Sequence, residues 1–189
     1  ETVNDCALRG YEGPLERTLK DSNMERATLD AMLGAMVEFM PKFRQYLRAK
    51  GKALGHENGL PWYDIFAPMG AMNSVWSVER TRDYLVELFA GFDSELSEMV
   101  ARAFDEAWID FYPRSGKSGG AFCAGVEKLH ESRILTNFDS QFTDVVTLAH
   151  ELGHAFHNQC IDSHRPLNRD YSMPLAETAS TFNECVIMN

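Results

Sequence analysis

The sequence predicts a mainly α-helical fold with a small β-sheet. Apolar residues recur at steps of three and four over several long stretches, which is the spacing of amphipathic helices. Helix-capping residues precede several of these stretches. Two short apolar segments near glycines are typical of β-strands. The chain has 189 residues, of which 44% are hydrophobic and 24% charged, so it can bury an ordinary globular core.

The first long helix is predicted to run from Ser22 to about Lys50. Ser22 and Glu25 have the spacing of a capping box, and the apolar residues after them keep the helical period. Pro41 lies inside this stretch, and we expect a kink or a break there because proline removes a backbone N–H. Three methionines at helical spacing are expected to pack in the core: Met32, Met36 and Met40.

Two shorter helices are predicted after a loop that extends from Gly55 to Asn73 and contains a short extended piece at Tyr63 to Phe66. Ser77 is expected to cap the first of these helices, and Asp93 or Ser94 the second, which reaches Trp108. The tryptophans are expected to contribute to packing: Trp62, Trp76 and Trp108.

The second half of the chain is predicted to contain the sheet. Ala121 to Ala124 and Arg133 to Phe138 are short enough for two strands. Two more helices, from about Phe142 to Cys160 and from Pro174 to Asn189, enclose a polar loop. The sheet therefore lies immediately before the first of these two helices in the sequence.

Charge and hydropathy argue against two classes of partner. Eighteen Lys and Arg residues against 28 Asp and Glu residues give a net charge of -10, which repels nucleic acids and anionic membranes. The longest uncharged stretch, Ile65 to Val78, is shorter than a bilayer-spanning helix and is interrupted by proline and glycine. We expect neither a nucleic-acid partner nor a membrane association.

The cysteines indicate a reducing compartment. Four cysteines occur without a CxxC pair, which favours the cytoplasm over a disulfide framework. We expect most of them to be buried thiols: Cys6, Cys123, Cys160 and Cys185.

An HExxH motif lies within the helix predicted from Phe142. A spacing of four places His150 and His154 on one helix face, close enough for both imidazoles to bind one tetrahedral Zn²⁺. Glu151 lies about 100° further round the helix, so it can flank the metal and hold a proton. An apolar stripe is expected to hold this helix against the core: Leu148, Leu152 and Phe156.

A catalytic zinc takes three protein ligands and one open position, and the residues leave several candidates for the third ligand. His157 lies on the same helical face as the pair, but three ligands from one straight helix strain a tetrahedral geometry, which favours a packing role near the site. Glu177 and Glu184 are seven apart and share one face of the last helix, so one is expected to ligate and the other to support. The remaining candidates are Asp162, His164 and Asp170.

Two segments around this motif are distinctive: TLAHELGHAFH, from Thr147 to His157, and PLAETAS, from Pro174 to Ser180. They resemble the oligoendopeptidase F branch of the thimet oligopeptidase family of zinc metallopeptidases. The similarity covers nearly all of the chain. Upstream segments that also resemble the family are Trp108 to Asp110, Gly116 to Phe122 and Leu135 to Phe138.

The resemblance implies a zincin-like catalytic core of the thimet oligopeptidase and neurolysin type. It implies that His150, His154 and Glu177 bind Zn²⁺, that Glu151 is the general base and that Glu184 supports a ligand. The implied activity is hydrolysis of internal peptide bonds in short peptides. A substrate strand is expected to pair with the edge formed by Gly120, Ala121 and Phe122, where glycine allows close approach, although a simple turn explains these glycines equally well.

Members of that family are several times longer and carry further substrate-binding Tyr and His residues after the third ligand. We therefore expect this chain to be an internal part of one peptidase catalytic domain, with a helical portion 1–112 and a portion 113–189 that holds the sheet and the zinc-binding helices. A full cleft is expected to need the remainder of the polypeptide. The alternative is a non-catalytic zinc-binding fragment that lacks part of the active site.

Overall fold

The computed structural model describes residues 1–70 and 74–188. The chain divides into an N-terminal unit, Glu1–Asn73, and a C-terminal unit, Ser74–Asn189. This division differs from the one near residue 112 that the sequence suggested from element types, and the assignment of the whole chain to one catalytic domain stays a prediction. The prediction of a mainly helical fold with a small sheet is confirmed.

The N-terminal unit contains three helices among its described residues, α1 (Thr2–Leu8), α2 (Pro14–Asp21) and α3 (Arg26–Ala53). The helices α1 and α2 were not predicted from the sequence. The predicted capping box is wrong, because Ser22 ends α2 and α3 begins only after Glu25, whose side chain makes no cap hydrogen bond. The helix is continuous through Pro41, so no break occurs there.

Several packing predictions for this unit are also wrong. Met32, Met36 and Met40 on α3 are 44%, 54% and 47% exposed, so the described residues do not bury them in a core. Trp62 is 81% exposed and begins a 3₁₀ turn, Trp62–Asp64, where an extended piece was predicted. The end of the predicted loop, residues 71–73, lies outside the described residues.

The C-terminal unit begins with two helices whose caps agree with the sequence. Ser77 accepts a hydrogen bond from the Arg80 N–H and begins α4 (Val78–Ala90), and Asp93 accepts one from the Leu96 N–H and begins α5 (Ser94–Asp105). Trp108 follows α5 instead of belonging to it, and it is 3% exposed. Trp76 and Trp108 therefore lie in the core, as predicted.

The sheet has three strands, β1 (Ile109–Asp110), β2 (Phe122–Val126) and β3 (Glu131–Leu135), in the order β1-β3-β2. β3 is central and pairs parallel with β1 and antiparallel with β2. β1, which has only two residues, was not predicted from the sequence. The strand predicted from Arg133 to Phe138 begins two residues later than β3 and ends three residues later. Among the described strands, β2 pairs on one side only, so its other edge is open.

Two long helices complete the unit, α6 (Phe142–Ile161) and α7 (Met173–Met188). Gln141 and Asp144 form a capping box at the start of α6. Leu148 and Leu152 are fully buried and Phe156 packs against the same core, which agrees with the predicted stripe. The predicted last residue of α7, Asn189, lies outside the described residues.

The predicted burial of the cysteines is confirmed only in part. Cys6 is buried and Cys123 is partly buried, but Cys160 and Cys185 are exposed, so the prediction of mostly buried thiols is wrong for two of the four. These two residues lie on the outward faces of α6 and α7.

No helix within the described residues has both the length and the apolar composition to cross a bilayer.

A close contact between α6 and α7 depends on Gly153. A Cβ atom at this position would lie 2.7 Å from the Ala179 carbonyl oxygen and 2.8 Å from Ser180 Cα, which real Cβ atoms do not tolerate. The buried Asn183 amide donates across the same interface to the Ala149 carbonyl at 3.0 Å. The two helix backbones therefore touch at a point where only glycine fits.

Replacing this glycine tests the contact. Gly153→Ala is expected to lower the free energy of unfolding by about 1–3 kcal/mol, because the added methyl group meets backbone atoms that cannot move independently. The measurement is urea denaturation followed by tryptophan fluorescence. Gly119→Ala, where a Cβ meets nothing within 4 Å, is the matched control and should unfold like the wild type. Equal midpoints for both variants would contradict this account of the helix contact.

Candidate metal centre

The α6–α7 contact brings three potential metal ligands together. The rings of His150 and His154 are 5.0 Å apart between centroids and inclined at 82°. Glu177 Oε2 lies 3.3 Å from His150 Nε2 and 3.5 Å from His154 Nε2. One nitrogen of each imidazole and one oxygen of the carboxylate all lie within 4.8 Å of one another, and this is the one such cluster among the described residues.

The two nitrogen-to-oxygen separations would suit a tetrahedral ion. Two ligand atoms bonded at about 2.05 Å with a tetrahedral angle between them lie about 3.3 Å apart. The two nitrogen-to-oxygen distances agree with this value within 0.2 Å. Two imidazole nitrogens and one carboxylate oxygen are a donor set for a divalent transition metal, with one tetrahedral position left for water or substrate.

Two further contacts orient the ligands. Glu184 Oε1 lies 2.5 Å from His150 Nδ1, so this carboxylate holds the Nδ1–H and leaves Nε2 free to face the cluster. The Ser180 hydroxyl donates to Glu177 Oε2 at 2.7 Å and fixes the direction of that carboxylate. Glu184, for which the resemblance implied a supporting role, therefore lies against a candidate ligand, and that role stays a prediction.

Burial shifts the pKa values of Glu151 and His154. Glu151 is 6% exposed, and burial raises the pKa of its carboxyl, an effect that Glu177 increases and that the charge of His150 opposes. Burial lowers the pKa of His154, which favours the neutral imidazole that a metal requires. Glu151 lines the same pocket as the three ligands without belonging to the ligand cluster.

The surrounding pocket has a volume of about 410 Å³ and is lined on one side by the start of β2. Ala121, Phe122 and Cys123 contribute to this wall. Burial raises the pKa of the Cys123 thiol to about 12, so this residue is an uncharged thiol and a poor metal ligand at neutral pH. Gly120 is not part of the wall. It has φ +79° and its carbonyl accepts a hydrogen bond from Asn137 Nδ2 at 2.9 Å, which stabilises the turn before β2.

His157 lies beside the cluster but is directed elsewhere. Its ring packs against Tyr171 with centroids 4.4 Å apart, and its buried Nδ1 has no hydrogen-bond partner among the described residues. Burial lowers its pKa. The other candidates for the third ligand also lie outside the cluster, and among them His164 is exposed. Asp162 contacts His130 and Arg169, and Asp170 accepts the N–H of Tyr171.

Sequence reasoning missed three residues of this site. Ser180 orients Glu177, and Asn158 and Tyr171 line the pocket. Asn158 is one residue beyond His157 on α6, and its position about one turn beyond His154 could have placed it near the site. Tyr171 comes from the polar loop before α7, where the sequence shows no periodic pattern that predicts its direction.

The cluster contains two imidazoles and a carboxylate around one point, and a buried glutamate of the same HExxH helix lies beside it. This arrangement is typical of metallohydrolase active sites. Comparison with protein families then gives the particular family. Residues 77–189 match the model of peptidase family M3, and the chain belongs to this family. The resemblance stated from the sequence is therefore confirmed.

The curated relatives are oligopeptidases of about three times the length. Group B oligopeptidase PepB from Streptococcus agalactiae is 29% identical over 94% of this chain and 29% of its own length. An oligoendopeptidase F homolog from Lactococcus lactis is 29% identical over 95% of this chain and 30% of its own length. The chain thus spans about 30% of the length of the curated relatives it matches.

Solved structures share the fold. A candidate oligoendopeptidase F from Bacillus anthracis superposes with a TM-score of 0.82 at 18% identity, over 97% of this chain and 35% of that one. PZ peptidase A, solved with an inhibitor, gives a TM-score of 0.81 at 19% identity, over 97% and 34% of the two chains. The described fold therefore corresponds to part of a zincin-like core.

Removing the charge of Glu184 tests the orientation of His150. Glu184→Gln keeps an acceptor for Nδ1–H but loses the negative charge, and Zn²⁺ affinity is expected to fall about tenfold. Equilibrium dialysis with Zn²⁺ measures the dissociation constant. Glu87→Gln, an exposed carboxylate on α4, is the control and should bind like the wild type. An unchanged dissociation constant in Glu184→Gln would show that this contact does not support the ligand.

Proposed function

We propose that the protein is a zinc metalloendopeptidase that hydrolyses internal peptide bonds of oligopeptides. The observation that carries this proposal is the cluster of His150, His154 and Glu177 with the buried Glu151 in the same pocket. Zn²⁺ suits the two-nitrogen, one-oxygen donor set, which is the ligand type of several zinc peptidases. Membership of peptidase family M3 and the oligopeptidase relatives support the substrate class.

Glu151 is the proposed general base. When bound, Zn²⁺ supplies Lewis acidity toward a water molecule and the scissile carbonyl. Glu151 lines the pocket in which both would lie, so its carboxylate can take a proton from the attacking water and return it to the departing amine. Burial raises the pKa of the Glu151 carboxyl, which makes its carboxylate a stronger base toward a proton of the attacking water.

The proposed substrate position is the open edge of β2. An extended peptide can add to this edge as a fourth strand, with its main chain hydrogen-bonded to β2 and its scissile bond near the ligand cluster. Ala121 and Phe122 line the pocket at the start of this strand, whereas Gly120 shapes the preceding turn. The proposed partners are therefore short peptides, and the cysteine pattern favours the cytoplasm as the compartment.

A non-catalytic zinc-binding fragment is the second candidate for the 189 residues taken alone. The observation that favours it is the length of the curated relatives, of which this chain spans about 30%. Loss of one oxyanion donor costs about 10² to 10³ in rate, so a partial cleft can bind metal without measurable turnover. An assay with a quenched fluorescent peptide, run on the 189-residue chain and on the full-length protein, separates the two. Equal turnover by both would contradict the need for the remaining polypeptide.

Two substitutions in the full-length protein distinguish the proposed base from a proposed metal ligand. Glu151→Gln is expected to keep Zn²⁺ but to lower kcat by at least about 10²-fold, because the proton acceptor is lost. His154→Ala is expected to lose the metal and, with it, the activity. The measurements are peptide hydrolysis and zinc content after gel filtration. Full activity in either variant would contradict the proposed function.

A further inference from the structure

A connecting segment, residues 162–172, joins α6 to α7 and is held in place by Arg169. The Arg169 side chain is 19% exposed, and its Nη1 lies 3.2 Å from Glu127 Oε2 in the turn between β2 and β3. The same guanidinium lies 3.5 Å from the Asp162 carboxylate and donates to the His164 carbonyl at 2.9 Å. Charge-assisted contacts of this kind restrain both partners. The connecting segment is therefore fixed to the β2–β3 turn and to the end of α6.

This anchoring positions Tyr171 against the end of the metal pocket. The Tyr171 ring packs on His157, and its hydroxyl donates to Asn158 Oδ1 at 3.4 Å. Asn158 Nδ2 in turn donates to Ser132 Oγ at 3.2 Å. Gly125 on β2 faces the same amide, since a Cβ there would lie 3.2 Å from Asn158 Nδ2. Tyr171 and Asn158 thus form a pair that reaches from the connecting segment to β2.

A second cavity lies on the far side of this pair. It also has a volume of about 410 Å³ and lies beside the β2–β3 turn, with Trp108 and Val126 among its lining residues, and we name it the hairpin cavity. Gly125, Asn158 and Tyr171 line both this cavity and the metal pocket. The two cavities therefore meet at the Tyr171–Asn158 pair.

β2 passes from one cavity to the other. Cys123 lines the metal pocket and Val126 lines the hairpin cavity, with Gly125 at the boundary. A strand rises about 3.3 Å per residue, so Cys123 and Val126 lie about 10 Å apart. A peptide on the open edge of β2 with its scissile bond beside Cys123 would therefore pass the Tyr171–Asn158 pair at Gly125 and reach the hairpin cavity about three residues from that bond.

We propose that Tyr171 determines substrate specificity: its ring closes the passage into the hairpin cavity and limits the size of the substrate side chain about three residues from the scissile bond. This inference rests on the proposed function, since it requires a peptide on β2. In the wild type a small side chain fits at that substrate position. Without the ring, the hairpin cavity becomes accessible and accepts a large side chain.

The experiment measures peptide binding without turnover. The full-length, zinc-loaded Glu151→Gln protein is compared with the same protein carrying Tyr171→Ala, by fluorescence anisotropy. The probes are labelled peptides whose wild-type cleavage position has been mapped, each with Ala or Phe at one of the four positions on either side of the bond. Tyr171→Phe keeps the ring and should keep the wild-type choice between Ala and Phe. Tyr112→Ala, an exposed tyrosine of the same unit that lines neither cavity, is the control for general effects.

Tyr171→Ala is expected to shift the Phe-to-Ala affinity ratio by about tenfold in favour of Phe at one position about three residues from the bond, and to keep its zinc content. An unchanged ratio at every position, with zinc retained, would overturn the role of Tyr171 while leaving the proposed function intact. Absence of peptide binding and of cleavage in the wild type would overturn both. If Tyr171→Ala loses zinc or fails to fold, Asn158→Ala opens the same boundary from the other side, and an unchanged ratio there would overturn the proposal.

Discussion

The contact between the backbones of α6 and α7 at Gly153 is the constraint on which the metal centre depends. Helices in proteins usually pack with axes about 8–10 Å apart, which side chains set. A ligand from α7 must nevertheless approach within about 3.3 Å of imidazole nitrogens on α6 to share one tetrahedral ion. The absent side chain at Gly153 permits this approach, and the buried Asn183 amide secures it one turn further along.

Side chains of α7 then fix the direction of two of the three ligands. Glu184 contacts one nitrogen of His150, and the Ser180 hydroxyl donates to the Glu177 carboxylate, so both ligands are held facing the cluster. Such preorganisation matters because ordering flexible ligands at the moment of binding would cost affinity. The buried Glu151 carboxyl lies in the same pocket outside the ligand cluster, where the proposed function makes it the proton acceptor. The site is therefore built by helix packing, with the sheet supplying one wall.

The parts of this architecture that could be predicted from sequence are the local ones. A four-residue spacing fixes the relative positions of His150 and His154 within one helix, and capping residues mark the starts of α4 and α5. The connecting segment could not be predicted, because Arg169 and Tyr171 are positioned by partners far away in the sequence. The solvent-exposed methionines of α3 show the converse limit, since helical periodicity indicates an apolar face but not what covers it.

The proposed metal centre requires that His150, His154 and Glu177 bind one ion. Zinc K-edge X-ray absorption on the zinc-loaded protein, combined with a crystal structure showing anomalous scattering at the ion, measures this binding. Two imidazole nitrogens and one carboxylate oxygen from these residues are expected at about 2.0–2.2 Å from the ion. A sulfur neighbour at about 2.3 Å, as Cys123 would give, or an ion bound by other residues, would contradict it.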